Sequence, residues 1–437
     1  MSVLLDCYAA LVTVNGVLTC LKDAKIGVEG SFIDYVGSSM PEKKYDSVKN
    51  LRSSVLIPGL VNAHGHSAMV LLRGLGNALP LQDWLHLIWP IEDLMEDEDF
   101  ESGMNLSILE ALSCGTTSFT DMYMHPDYVA KAVGESGIKA NITRVMQNFD
   151  EKTDYKTYGR RLEAFDLFKR FDGSYDGRLK IDFSIHAEYT NTRGLLEEFA
   201  KEIKATPGAR MHLHLSETKK EHEECIQKYG VTPTRWFYDI GVFDVPTSAA
   251  HCVWCTDEDL RLLKEKCVTV AHNPESNLKL GSGFAPVRKM LDMGINVALG
   301  TDGAASNNNL NMIEEIHTAS IIHNGYLLDP TAIKPQEVLK MATVNGARAQ
   351  GREDCSSIEV GKRADLAAVS LEAPHMHPAL DIPSLLTYSA QASDVHMTMV
   401  DGKILYENGE FFTLDKDKVI FKAEKSVKKL NKRSSTI

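Results

Sequence analysis

Short apolar runs that end in polar residues alternate with amphipathic stretches between about residue 55 and residue 310, and few folds admit such an order. The runs cover residues 55–62, 117–121, 140–146, 181–186, 211–216, 248–252, 268–273 and 296–301. Segments such as 99–113, 192–204, 256–266 and 285–293 lie between them, each long enough for the crossover helix that parallel strands require. Eight such units in succession predict an α/β fold built on a (β/α)8 TIM barrel. The flanks differ. Residues 1–54 and 355–437 lack the helical alternation and carry the turn pairs Asn15-Gly16, Glu29-Gly30 and Asp401-Gly402 between β-prone runs. The expected division is a β-sandwich whose first part is residues 1–54, a barrel over 55–354, and the second part of the sandwich with a terminal tail over 355–437.

Catalytic groups of such barrels gather at the carboxyl ends of the strands, so the residues ending each run form the candidate site. They are His64 and His66, His186, His214 followed by Glu217, His251, His272-Asn273-Pro274 and Asp302. Two imidazoles one residue apart project from the same face of an extended chain, which lets His64 and His66 grip one ion about 2 Å away. Taken alone, such a pair is more often two histidines sharing a solvated or satisfied strand face. With His214 and Asp302 added, it becomes a nitrogen-rich ligand set suited to one divalent ion, zinc with ferrous iron as the alternative. Such an ion lowers the pKa of a water from about 15.7 toward about 7. His212 shares the face of His214 one step deeper and is read as a packing or supporting residue.

Composition removes other classes. A chain of 437 residues with 43% apolar content can bury a large core, and a formal net charge of −13 disfavours nucleic acid and anionic lipid as partners. No stretch reads as a signal peptide or a membrane span, and eight scattered cysteines suit reduced, buried thiols. A cytoplasmic protein is expected. The pair Cys252 and Cys255 has no second pair to complete a zinc knuckle, and the lysine-rich stretch 416–433 reads as a solvated terminal helix.

The segments Pro58-Gly59-Leu60-Val61-Asn62-Ala63-His64-Gly65-His66, His214-Leu215-Ser216-Glu217, His272-Asn273-Pro274-Glu275-Ser276-Asn277, Gly300-Thr301-Asp302-Gly303 and Gly361-Lys362-Arg363-Ala364-Asp365-Leu366 resemble the amidohydrolase superfamily. The resemblance implies a distorted barrel with a small β-sandwich, and hydrolysis assisted by one or two metals. Relatives with two metals bridge them with a modified lysine ending the fourth strand. Here that strand ends in His186, and Lys180 sits at its opposite end, which implies a single ion per subunit.

Leu71-Leu72-Arg73-Gly74, Leu79-Pro80-Leu81-Gln82-Asp83-Trp84-Leu85 and Ile88-Trp89-Pro90-Ile91-Glu92 are similar to the branch holding the 5'-methylthioadenosine and S-adenosylhomocysteine deaminases, which also holds triazine hydrolases. That likeness implies hydrolytic deamination at C6 of an adenine nucleoside in a homo-oligomeric enzyme. Glu92 would bind the ribose hydroxyls, Arg144 and His186 would hold the nucleoside, and Glu217 would bond the purine edge. In the reaction Glu217 would protonate N1, His251 would orient the attacking water, and Asp302 would relay its proton to the leaving amine. Trp84 or Trp89 would offer the base a flat wall, or simply pack under a loop. A second arginine beyond Arg144 is expected on the distal part of the ligand, with Lys156, Arg160 and Arg161 as candidates. Adenosine, 5'-deoxyadenosine, a triazine and guanine are the alternative substrates, and a non-catalytic scaffold the alternative role.

Overall fold

The computed structural model describes residues 2–434. The chain opens with β1 (Ser2–Val14), β2 (Val17–Lys22), β3 (Lys25–Glu29), β4 (Phe32–Gly37) and β5 (Ser47–Pro58). The barrel strands follow as β6 (Leu60–Gly65), β7 (Thr116–Tyr123), β8 (Lys139–Met146), β9 (Leu179–Ile185), β10 (Met211–Leu215), β11 (Thr247–His251), β12 (Thr269–His272) and β13 (Val297–Leu299). The chain returns to the first sheet with β14 (Leu366–Ser370), β15 (Val395–Val400), β16 (Lys403–Glu407) and β17 (Glu410–Phe411).

The eight barrel strands pair in chain order, all parallel. Between β13 and β6 no ladder joins the ends. There the side chain of Asn62 bridges the gap, donating to Thr301 Oγ1 at 2.7 Å and accepting from Thr301 N at 3.0 Å. This is the distortion the resemblance implied. Strands of both termini form the nine-stranded second sheet, ordered β17-β16-β15-β14-β5-β1-β3-β4 with β2 on β1. It packs around a core of its own that includes Leu5, Ile26, Leu56, Leu366 and Met397. The turns Asn15-Gly16 and Asp401-Gly402 both have positive φ at the two central residues, as tight hairpins demand.

The run read as the first barrel strand is divided. Residues 55–58 end β5 and pair with β1 and β14, and only from Leu60 does the chain enter the barrel. Pro58 and Gly59 make the break, and a Cβ on Gly59 would lie 2.3 Å from the side chain of Thr117, so the chain can cross between sheets only where that atom is missing. The tail also differs from its reading. It is a helix, Lys416–Ser434, but one stripe (Val419, Ala423, Ser426 and Leu430) is buried against the helix Asp97–Ser113 and the turn Ser67–Leu72.

Candidate active site

Strand ends deliver the cluster. β6 carries His64 to the rim and the chain then turns at His66, while the loop after β13 swings Asp302 back so that its N–H donates to His64 O at 3.0 Å. Asp302 takes φ +61, a left-handed conformation rare for a residue other than glycine, and His251 does the same at +71 at the end of β11. Gly300 makes the approach possible, because a Cβ there would meet His64 N at 2.8 Å.

Hydrogen bonds fix which ring nitrogens are protonated. His66 Nδ1 lies 2.6 Å from Met122 O and His214 Nδ1 lies 2.8 Å from His186 O. Carbonyls only accept, so both Nδ1 atoms carry hydrogen and both Nε2 atoms present lone pairs. Those two Nε2 atoms face each other at 3.2 Å. His64 Nε2 is buried with no hydrogen-bond partner, and Asp302 Oδ1 lies 3.4 Å from it and 3.3 Å from His66 Nε2. Ser276 and Ser306 donate to the other oxygen, Oδ2, at 2.6 and 2.8 Å, which leaves Oδ1 for the centre. Three imidazole lone pairs and a carboxylate oxygen converging out of water fit a divalent cation. His212 supports the set from below, with Nε2 at 2.8 Å from His64 Nδ1.

Electrostatics point the same way. Burial pushes Asp302 up, but the imidazoles of His64 and His66 close beside it hold it well below the usual carboxylate range. Burial lowers His64 to about 4 and holds His214 well below its ordinary value. His66 is lowered by burial too, yet the hydrogen bond and charge of Asp302 raise it to about 9. With His64 and His214 neutral, the buried Asp302 anion draws positive charge to this spot, supplied here by the proton on His66 and equally well by a bound cation.

A cavity of about 470 Å³ opens from the cluster, lined by Glu217, His251 and His186 near the ligands and by Trp89, Glu92 and Arg160 farther out. Glu217 is raised to about 8, by burial first and the charge of Asp302 second. His251 Nδ1 donates to Asn277 Oδ1 at 2.8 Å, which turns its Nε2 toward Glu217 Oε2 at 3.9 Å. Burial lowers His186 to about 3, so it is neutral. Glu92 ends the helix Leu81–Glu92; burial raises it to about 7 although Tyr123 donates its hydroxyl to Oε1. The Trp89 ring meets His186 edge-on at 6.0 Å.

Two expected members lie elsewhere. Arg144 is absent from the cavity; its Nε pairs with Glu163 in a separate cleft. Val145 on β8 and Gln147 just past its end face the cavity, so strand alternation sends Arg144 to the opposite side. Of the three basic candidates, Arg160 enters the cavity, within 3.3 Å of Gln147 Oε1, while Arg161 pairs with Glu202. His272 turns from the rim, its Nε2 3.0 Å from His323 Nε2. The sequence reading passed over Tyr123, Asn277, Ser276 and Ser306 as supporting residues. Ser276 and Asn277 lay within a motif already singled out, at the first turn of the helix Pro274–Lys279.

Comparison with known proteins agrees with this geometry. A family model described as the amidohydrolase family matches residues 55–405. The 5-methylthioadenosine/S-adenosylhomocysteine deaminase of Thermoanaerobacter pseudethanolicus is 45% identical over 97% of this chain and 98% of its own. The 5'-deoxyadenosine deaminase of Methanosarcina acetivorans is 41% identical over 95% of each chain. The crystal structure of an adenosine deaminase from Xanthomonas campestris with bound zinc superposes with a TM-score of 0.91 at 30% identity, covering 98% of both chains. On the family match, the near full-length identity and the convergent ligand set, the chain belongs to the amidohydrolase family.

Proposed function

We propose that this enzyme hydrolytically deaminates adenine nucleosides at C6, with 5'-methylthioadenosine and S-adenosylhomocysteine as preferred substrates, releasing ammonia and the inosine analogue. The observation that carries the reading is the buried, proton-bearing Glu217 facing the same cavity as the converging imidazoles, with a second buried carboxylate, Glu92, at its far side. The names of the similar deaminases support the substrate class. His64, His66, His214 and Asp302 are the proposed ligands of one divalent ion, with zinc favoured by the imidazole-rich donor set. When bound, that ion acidifies water at neutral pH.

The chain's own groups supply the rest. Glu217, protonated near neutral pH, gives its proton to N1 as C6 loses aromaticity, and recovers one from the C6 hydroxyl as the carbonyl forms. Asp302, held ionised, takes a proton from the attacking water and passes it to the amine, which leaves as ammonia. His251, neutral and fixed through Asn277, orients the water. Glu92 accepts from the vicinal ribose hydroxyls, and Trp89 with His186 walls the base. Arg160, rather than Arg144, reaches the part of the ligand beyond C5'. A cytoplasmic homo-oligomer completes the proposal.

The test is ammonia release from a panel of 5'-substituted adenosines, adenosine, adenine, guanine and aminotriazines, with protein loaded with zinc or with ferrous iron. Turnover of 5'-thio-substituted adenosines above all others is expected. Preference for a substrate without ribose would overturn the assignment of Glu92 and of the substrate class together.

A further inference from the structure

Behind Glu217 lies an acid pair that the chemistry above does not use. Glu188, just past the end of β9, is 1% exposed, and Glu221, in the first turn of the helix Lys219–Tyr229, is 3% exposed. Their carboxyl groups lie against each other, and Glu188 Oε2 and Glu221 Oε1 are both buried with no hydrogen-bond donor among the described residues. Two ionised carboxylates in contact out of water repel strongly, so a hydrogen must lie between them. The remaining oxygen, Glu221 Oε2, accepts the main-chain N–H of Glu217 at 2.7 Å and of Thr218 at 3.3 Å, while Thr218 Oγ1 accepts from Glu221 N at 3.2 Å. The peptide bearing Glu217 is thus pinned directly to the pair, next to Ser216, whose φ of +46 turns the chain into the cavity.

We propose that Glu188 and Glu221 share one proton and act together as positioning residues, holding the main chain of Glu217 so that its carboxyl stays directed at the substrate ring. The groups facing the pair are the carboxyl of Glu217, the hydroxyl of Tyr189, the thiols of Cys225 and Cys252, the imidazole of His251 and the more distant ammonium of Lys228. One cation against three carboxyl groups favours retention of the proton. Burial, then the charge of Glu221, raises Glu188 well above the usual range. Burial, then the charge of Glu217, raises Glu221 to about 7. Both are raised above their unfolded values, so the hold on Glu217 is complete at acid pH and is lost as pH rises and the shared proton leaves.

The kinetic half of this inference rests on the deaminase reading; the spectroscopic half does not. In the infrared spectrum of the metal-loaded protein without substrate, wild type is expected to show a carboxylic-acid carbonyl band at pH 7 that Glu188→Gln lacks. Glu188→Ala, which leaves Glu221 Oε1 without a donor, is expected to lower kcat about tenfold with little change in KM. Glu188→Gln restores a donor that does not titrate, so it should recover kcat relative to Glu188→Ala and move the alkaline limb of the kcat profile to higher pH. Identical spectra for wild type and Glu188→Gln overturn the shared proton. Equal kcat and equal pH profiles in both variants and wild type overturn the positioning role. If Glu188→Ala does not fold, the spectrum and pH profile of Glu188→Gln decide the matter. A protein inactive on every nucleoside still answers through its spectrum.

Discussion

Glu217 and Glu92 are both buried glutamates on one cavity, yet their surroundings separate them. Glu217 is raised to about 8 by burial and by Asp302, and so carries a proton at neutral pH. Replacing it with glutamine keeps shape and charge at pH 7 but removes a transferable proton, and should cut kcat by about 10² to 10⁴ with the metal content of the protein unchanged by elemental analysis. A near wild-type kcat would remove it from the proton-donor role. Glu92 is raised to about 7 by burial, with the Tyr123 hydroxyl pulling the other way. Tyr123→Phe deletes that opposing contact, so the carboxyl ionises at higher pH and, in the ribose-binding role proposed for Glu92, would accept the hydroxyls less well near neutrality. KM measured at pH 7 should rise severalfold, about 1 kcal/mol for a lost hydrogen bond, and approach wild type at pH 9; a KM ratio constant across that range would argue against this coupling. The convergence of His64 and His66 was legible in the sequence because a spacing of two on a strand forces side chains to one face. The same parity keeps Arg144 out of the cavity, since it lies one step out of phase with Val145 and Gln147, while Arg160 reaches the cavity from a helix where no strand rule applies.

Elements rather than residues set how rigidly the cavity wall stands. The terminal helix Lys416–Ser434 carries charges that suit a solvated helix, but its period places Val419, Ala423, Ser426 and Leu430 on one stripe. That stripe covers the helix Asp97–Ser113, with Ser426 Oγ 2.8 Å from Ser102 Oγ. At its end Arg433 donates to Asp99 Oδ2 at 2.7 Å and to Leu94 O at 2.9 Å, reaching the connection just past Glu92. Burial pushes the Asp99 carboxyl up, and the hydrogen bonds from the Glu96 main chain and Arg433 more than offset it. Asp99 contributes stability above its unfolded pKa that is lost as pH falls through its lower folded value. Arg433→Ala takes the charged donor away from this buried carboxylate and leaves it the Glu96 main chain and the Ser426 hydroxyl. Because the arginine is a quarter exposed, solvent screens part of the loss, and a cost of about 1 kcal/mol is expected in the urea midpoint at constant slope. The cost should shrink below pH 4, where Asp99 begins to protonate. A midpoint unchanged at pH 7 would mean the helix is held by its apolar stripe alone.

At the scale of the molecule, the barrel and the terminal sheet are joined by more than their shared apolar contacts. Lys139, at the start of β8 and 1% exposed, reaches out of the barrel to Asp365 Oδ1 at 2.7 Å and Asp401 Oδ1 at 2.7 Å, the first just before β14 and the second in the β15–β16 turn. Arg363 adds a bond to the same Asp401 oxygen at 2.9 Å. The alternation of strands with helices and the turn pairs of the flanks made the two sheets visible in the sequence, but nothing in a lone lysine opening a strand distinguishes a buried clamp from a solvated end; only the return of the chain 226 and 262 residues later brings its carboxylates to it. Burial pushes Asp401 up while the charge and hydrogen bond of Lys139 pull it below its ordinary value, and burial lowers Lys139 while Asp365 raises it. The depressed Asp401 gives stability that is present at neutral pH and lost as pH falls below about 4. The raised Lys139 gives stability that is lost only as pH climbs past about 10.5. Lys139→Met keeps the length of the stem but leaves the buried Asp365 without its cation and Asp401 with Arg363 alone, which should destabilise the fold by about 3 kcal/mol. Asp401, no longer held down by the charge of Lys139, then has more reason to bind a proton in the folded state, so the loss should be greatest near pH 8 and smaller at pH 5. Calorimetry across that range checks the sign: a penalty independent of pH would mean that packing around the stem, and not its charge, couples the two sheets.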